Sequence, residues 1–152
     1  MYSAIRWFAR TNLEKAGVNV EFFAADEGMR LPSYLETMLF RIAQEAISNI
    51  VRHANASQVL IRLWTAEEQL WLEIKDDGCG FDIEKTAEGA VDRKQLGLLG
   101  IEERVSLVGG TVKIESAEGS GTSLQLHIPL PVETSIDPET NTLDLDVERA
   151  PS

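Results

Sequence analysis

"FRIAQEAISNIVRHANAS", residues 40–57, decides the fold. Taken at about 100° per residue, Leu35, Leu39, Ile42, Ala46, Ile50 and Ala54 form one apolar stripe. That spacing predicts a long helix, opened by Pro32 and Ser33 and running to about Ala54. Glu45, Asn49 and Arg52 gather about 100° away on one flank, and His53 falls between the two sets. A flank beside the buried stripe, under a sheet edge or a loop, is where a pocket forms. A carboxylate and an amide oxygen one turn apart suit a hard cation such as Mg²⁺, and an arginine a turn further on suits phosphate. A solvated flank held by helix-pair electrostatics accounts for the same line equally well at this point.

Working outward, residues 3–16 repeat apolar positions with helical spacing up to Gly17, and "VNVEFFA" alternates as a strand. "SQVLIRLWTA" and "QLWLEIKDDG" are two strands around a short polar turn. Residues 82–96 are polar and aperiodic and are expected to form a loop. "GLLGIEERVSLVG" reads as a further helix, and "GTVKIESAEGSGTSLQLHIPL" as two strands around a glycine-rich turn. Leu124, Leu126 and Ile128 alternate with Ser123, Gln125 and His127, so the last strand has one buried face. The expected class is α/β. It is a two-layer sandwich whose mixed, mostly antiparallel sheet, with sequence neighbours paired, is covered on one face by about three helices.

Two glycine motifs follow the helix. "EIKDDGCGF" places Asp76 at the end of an apolar strand, before Gly78 and Gly80. An acid at the edge of a core is costly unless a donor meets it, and the exocyclic amine of a purine is such a donor. A plain Asp-Gly turn is the competing explanation. Cys79 reads as a small residue of that turn. Gly97 and Gly100 flank Leu98 and Leu99 at the expected start of a helix, where free N–H groups attract an anion. "EGSGTSL" sets Thr122 at the start of a strand behind two glycines.

Composition bounds the partners. The formal net charge is −11, from 25 acids and 14 bases, which disfavours nucleic acid. Residues 133–152 hold six acids and one base, −5, leaving −6 for the rest. The segment 132–152 is therefore expected to be an acidic, disordered tail behind a single domain over 1–131. One cysteine excludes an intrachain disulfide, and no apolar run reaches the roughly 18–20 residues of a membrane span.

The order of these motifs is specific. "QEAISNIVRHANAS", "DDGCGFD" and "LGLLGIEERVSLVGGTVKIESAEGSGTSLQLHIPL" resemble the ATP-binding catalytic domain of two-component sensor histidine kinases. Its Bergerat-type fold is shared with gyrase B, Hsp90 and MutL, and the resemblance covers roughly residues 4–130. "GIEERVSLVGG" resembles the nitrate-sensor-type subfamily, whose partners are response regulators of the helix-turn-helix output type. The resemblance implies ATP and Mg²⁺ as cofactors. It makes Asn49 the Mg²⁺ ligand, and Glu45 a catalytic neighbour that positions the metal or a water. It brings Arg52 toward phosphate, sets His53 at the border of the nucleotide, and has Asp76 accept a hydrogen bond from adenine with Thr122 in support. It also implies that Gly78, Gly80 and Phe81 shape the adenine pocket, that residues 82–96 form a lid, and that Gly97, Leu98, Leu99 and Gly100 form its hinge and phosphate contact. Gln95 and Leu96 depart from relatives that carry another glycine two positions before Gly97.

Neither His53 nor His127 is followed by the acid that marks a phosphoacceptor in these kinases. The chain is thus expected to donate the γ-phosphate to a histidine on a separate dimerisation domain, and not to autophosphorylate alone. The resemblance implies a cytoplasmic domain without direct membrane contact, whether or not the parent protein is membrane-anchored. An ATPase or conformational switch, with Glu45 activating water, is one alternative on the same fold. A serine protein kinase of the anti-sigma type and a degenerate interaction module are the others.

Overall fold

The structure is a computed structural model that describes residues 2–25, 30–80 and 93–131, without the side chains of 93–96. Phe81, the loop expected from residue 82 up to Arg93, and the segment 132–152 lie outside the described residues.

Helix α1 spans Tyr2–Lys15 and buries Tyr2, Ile5, Ala9 and Leu13, one side chain per turn. It ends where Gly17 adopts φ 82°, so that the Val18 N–H reaches the Leu13 carbonyl and the Gly17 N–H the Glu14 carbonyl. Strand β1 spans Asn19–Ala24. Helix α2, Ser33–Asn49, buries Leu35, Met38, Leu39, Ile42, Ala43, Ala46 and Ile47. The helical path then changes pitch into a π-helical turn over Ile50–Ala54, closed by Asn55 at φ 51°.

Strands β2, Gln58–Ala66, and β3, Gln69–Asp76, form a hairpin. Helix α3 spans Arg93–Leu107, and strands β4, Thr111–Ser116, and β5, Thr122–Pro129, complete the chain of elements. The sheet order is β1-β2-β3-β5-β4, with β1 parallel to β2 and every other pair antiparallel. Contrary to the expectation above, sequence neighbours do not all pair. Helix α3 intervenes after β3, and the returning hairpin places β5, not β4, beside it.

Alternation puts Val59, Ile61 and Leu63 of β2, Leu70, Leu72 and Ile74 of β3, and Leu124, Leu126 and Ile128 of β5 on one buried face. In register these make rows such as Ile61–Ile74–Leu124 and Leu63–Leu72–Leu126. The helices cover that face through Ile5, Leu13, Leu39, Ile42, Ile47 and Ile101, all fully buried in the same core. The opposite face carries the stacked pair Trp64–Trp71, centroids 5.8 Å apart, with Arg62 above Trp64. His127 lies against Trp71 on that face and is half-buried rather than plainly exposed.

One boundary differs in a way that matters for the site. Helix α3 begins at Arg93, so Gly97 and Gly100 lie inside it instead of flanking its start. The departure at Gln95 and Leu96 explains the extension. Both are good helix formers where a glycine would favour a break. Only the first four N–H groups of a helix lack an intrahelical acceptor, so the free donors belong to residues 93–96 and not to the two glycines.

Candidate functional site

The inward file of β3 reads Leu70, Leu72, Ile74, Asp76. Strand alternation therefore points Asp76 beneath the helices, where the three residues before it are buried apolar side chains. Asp76 is 6% exposed, the only buried polar or charged side chain among the described residues. In register it stands between Val59 of β2 and Thr122 of β5, and Thr122 stands opposite Ser116 of β4. Asp76, Thr122 and Ser116 thus form a polar row across three strands at one end of an otherwise apolar face. The Ser116 and Thr122 hydroxyls are hydrogen-bonded at 2.8 Å, and the Ser116 hydroxyl also donates to the Gly121 carbonyl at 3.1 Å.

The glycine loop after β3 locks this acid in place. The Gly78 N–H donates to Asp76 Oδ1 at 2.8 Å. Gly78 is packed so tightly on the backbone of Ala54 that a Cβ there would overlap the Ala54 carbonyl, and a Cβ on Gly80 would overlap the Ala117 carbonyl. The Cys79 N–H donates to the Ala54 carbonyl at 2.7 Å and its thiol to the His53 carbonyl at 3.2 Å. Cys79 is thus more than a small turn residue, because it supplies donors to the carbonyls that end the π-helical turn. Asp77 faces the other way and accepts the Ser57 and Gln58 N–H groups at 2.8 and 2.9 Å. Those two backbone donors hold its carboxyl below the usual value of 3.8.

Above Asp76 a cleft opens between the end of α2, the π-helical turn, α3 and the sheet, with about 570 Å³ of space counting its open mouth. Its walls are Ala46, Asn49, Ile50, His53 and Ala54 on the helical side and Ile74, Asp76, Gly80, Ile114, Thr122 and Leu124 on the sheet side, with Leu98 and Ile101 from α3. It is an apolar slot with one acid in its floor and one amide on its rim. That suits a flat heteroaromatic ring bearing an exocyclic amine, with a polar extension toward Asn49.

Of the residues picked out in the sequence, Asn49, His53, Asp76, Gly80, Leu98 and Thr122 line this cleft together, and Gly78 supports its floor. Five others do not line it. Arg52 is exposed and points elsewhere. Past Asn49 the π-helical turn advances each residue by less than the about 100° of an α-helix, so the straight line drawn through Arg52 does not survive. Glu45 lines a neighbouring hollow with Arg41 and Arg104, and Gly97 of α3 lies against its side chain. Leu99 is 47% exposed, and around Gly100 there is open space. Sequence reasoning missed Ser116 and the apolar walls Ile101 and Ile114. Ser116 was legible, as the third member of the alternation Val112, Ile114, Ser116 on β4. The apolar walls carry no mark that separates them from core.

A mixed sheet covered on one face, with a cleft at the helix–sheet junction over the one buried acid among the described residues, makes the chain a two-layer α/β sandwich with a ligand-sized site. Solved histidine kinase structures share the fold. The catalytic domain of histidine kinase ThkA superposes with a TM-score of 0.68 at 16% identity, over 84% of this chain and 90% of that one. The histidine kinase domain of the blue-light activated kinase of Erythrobacter litoralis EL346 gives 0.66 at 19% identity, over 85% of this chain and 60% of that one. Sequence gives the family: the family described as histidine kinase-, DNA gyrase B-, and HSP90-like ATPase matches residues 34–132, and the chain belongs to it. Among its relatives are the signal transduction histidine-protein kinase/phosphatase DegS of Bacillus subtilis, 36% identical over 116 residues, and the sensor protein VraS of Staphylococcus aureus, 37% identical over 111. These alignments cover 76% and 73% of this chain, and the chain spans about 30% of each relative's length. Among the described residues, no helix is long and apolar enough to cross a membrane.

Proposed function

We propose that residues 1–131 form the catalytic domain of a sensor histidine kinase. It binds Mg²⁺-ATP in the cleft over Asp76 and presents the γ-phosphate to a histidine on a separate dimerisation domain. The observation that carries this reading is the placing of the buried Asp76 carboxylate in the floor of an apolar slot, where it can accept from a ligand that enters the slot. The adenine amine is such a donor, with Thr122 beside the acid and Ser116 behind Thr122 fixing the hydroxyl. Ile74, Ile101, Ile114 and Leu124 supply apolar walls for the ring and exclude water from it.

Asn49 on the rim offers an amide oxygen for Mg²⁺. Among the described residues no group of three or more His, Cys, Asp or Glu gathers to hold a metal ion. That fits a cation drawing most of its ligands from phosphate and water, as Mg²⁺ does in phosphoryl-transfer sites. When bound, ATP supplies the phosphoryl group and the metal neutralises its charge. The domain's own work is orientation, and the nucleophile comes from another domain. His53 borders the ligand from the helical side. Glu45 lies in the neighbouring hollow against Gly97, where it holds α3 against α2, and water activation by it is the step that the ATPase alternative requires. The partners of such a domain are the phosphoacceptor domain and a response regulator, and the "GIEERVSLVGG" run favours a regulator with a helix-turn-helix output.

The test is phosphotransfer. With radiolabelled ATP the chain alone is expected to stay unlabelled, and a dimerisation domain from a close relative to become labelled on histidine. Label on a serine of a partner, or steady ATP hydrolysis by the chain alone, would overturn the reading.

A further inference from the structure

The polar row across β3, β5 and β4 has a direction, set at its far end. Gly121 precedes β5 at φ 75°, and a Cβ on it would overlap the Asp76 carbonyl. Its backbone is therefore seated against the end of β3, under the floor of the cleft. Gly121 is buried. A buried carbonyl needs a donor, and the Ser116 hydroxyl supplies it at 3.1 Å. A serine hydroxyl has one hydrogen. Directed at Gly121, that hydrogen is not available to Thr122. The 2.8 Å contact between the two hydroxyls then has Thr122 as donor and Ser116 as acceptor. The opposite order makes one hydrogen bond where this one makes two, and takes the donor from a buried carbonyl.

The consequence lies in the cleft. Thr122 faces it beside Asp76, its partner in the β3–β5 register. With its hydrogen turned to Ser116, the Thr122 oxygen presents only lone pairs to a ligand. The Asp76 carboxylate accepts as well, and the Gly78 N–H is already directed at its Oδ1. Residues opposite each other on paired strands have Cβ atoms about 5 Å apart. The floor thus offers two acceptors side by side. The amine of a 6-amino purine has two hydrogens and suits both. A 6-oxo purine keeps an N1–H for Asp76, but its oxygen would meet the Thr122 lone pairs with no hydrogen between them.

We propose that Ser116, which stands behind Thr122, is a positioning residue that sets the base specificity of the cleft. By accepting the Thr122 hydrogen it makes the floor select the 6-amino ring and refuse the 6-oxo one. This rests on the reading of the cleft as an ATP site, and adds to it the device that separates ATP from 6-oxo nucleotides.

Competition binding of ATP and of inosine triphosphate, its 6-oxo counterpart, to the full chain tests this. The wild type is expected to prefer ATP about 10- to 100-fold. In Ser116→Ala the Thr122 hydroxyl is released and turns its hydrogen to the 6-oxo group. The preference should narrow at least about fivefold, mostly through tighter binding of inosine triphosphate. Ser116→Thr keeps the hydroxyl and should restore the wild-type ratio. A purely structural role would weaken both nucleotides together and leave the ratio unchanged in Ser116→Ala, which would overturn the proposal. Equal binding of the two nucleotides by the wild type would overturn it too while leaving the nucleotide site standing. Failure of the wild type to bind either would overturn both readings.

Discussion

Asp76 and Thr122 stand opposite each other in the β3–β5 register, and both face the cleft. The pairing explains why a carboxylate can end the inward file of an apolar strand. Its neighbour across the ladder is a hydroxyl, which is itself held by Ser116, and its own Oδ1 accepts the Gly78 N–H.

Removing the charge should therefore cost affinity before it costs the fold. Asp76→Asn is expected to weaken ATP binding about 10- to 100-fold, the loss of one charge-assisted hydrogen bond worth about 1.5–3 kcal/mol. Thr122→Val should weaken it less, about 2- to 10-fold, because the hydroxyl is neutral. Equilibrium titration with fluorescent ATP reads both, and equal losses in the two variants would contradict the ranking.

Gly78 is required by space. A Cβ would meet the Ala54 carbonyl, a backbone atom that cannot swing aside. Gly78→Ala should destabilise the chain by about 1–3 kcal/mol, as overpacking does, with the π-helical turn displaced. Urea unfolding measures it, and an unchanged midpoint would show that the loop adapts freely.

Gly97 is a softer case, since its neighbour is the flexible end of Glu45. In a Glu45→Ala background, Gly97→Ala should stabilise the chain by up to about 1 kcal/mol through helix propensity. In the wild type that gain should shrink or reverse. A double-mutant cycle should give a coupling of at least about 0.5 kcal/mol, and strict additivity would deny the contact.

Asp77 gives a pH signature. Its folded-state carboxyl lies below the ordinary 3.8 because two backbone N–H groups bind the ionised form. A depressed carboxyl adds stability that is present above its unfolded value and is lost as the pH falls through its folded value. Asp77→Asn should accordingly lower the melting temperature at pH 7, and the difference from the wild type should close below about pH 4. A gap that persists unchanged in acid would mean that the variant acts through something other than charge.

The helical periodicity of residues 35–54 and the alternation in β2, β3 and β5 carried most of the architecture, because burial writes a period into the sequence. Two features were not periodic and escaped. The π-helical turn at Ile50–Ala54 leaves no compositional mark, so Arg52 appeared to continue a line that turns away. The start of α3 was misplaced because two glycines look like a helix boundary. Their acceptance inside the helix depends on what they touch, and Gly97 makes room for Glu45 of another helix. The acid of the site was legible, since Asp76 breaks an apolar alternation at the inward position. Its apolar walls were not, because Ile101 and Ile114 differ from core only in facing a cleft.

The central claim is that the cleft over Asp76 and Asn49 binds Mg²⁺-ATP. Calorimetric titration of ATP with Mg²⁺ into the wild-type chain, beside Asp76→Asn and Asn49→Ala, tests it most directly. The account predicts micromolar binding by the wild type, weakened in both variants, with the Asn49→Ala loss disappearing when Mg²⁺ is withheld. Binding that is equally tight in all three proteins would contradict it.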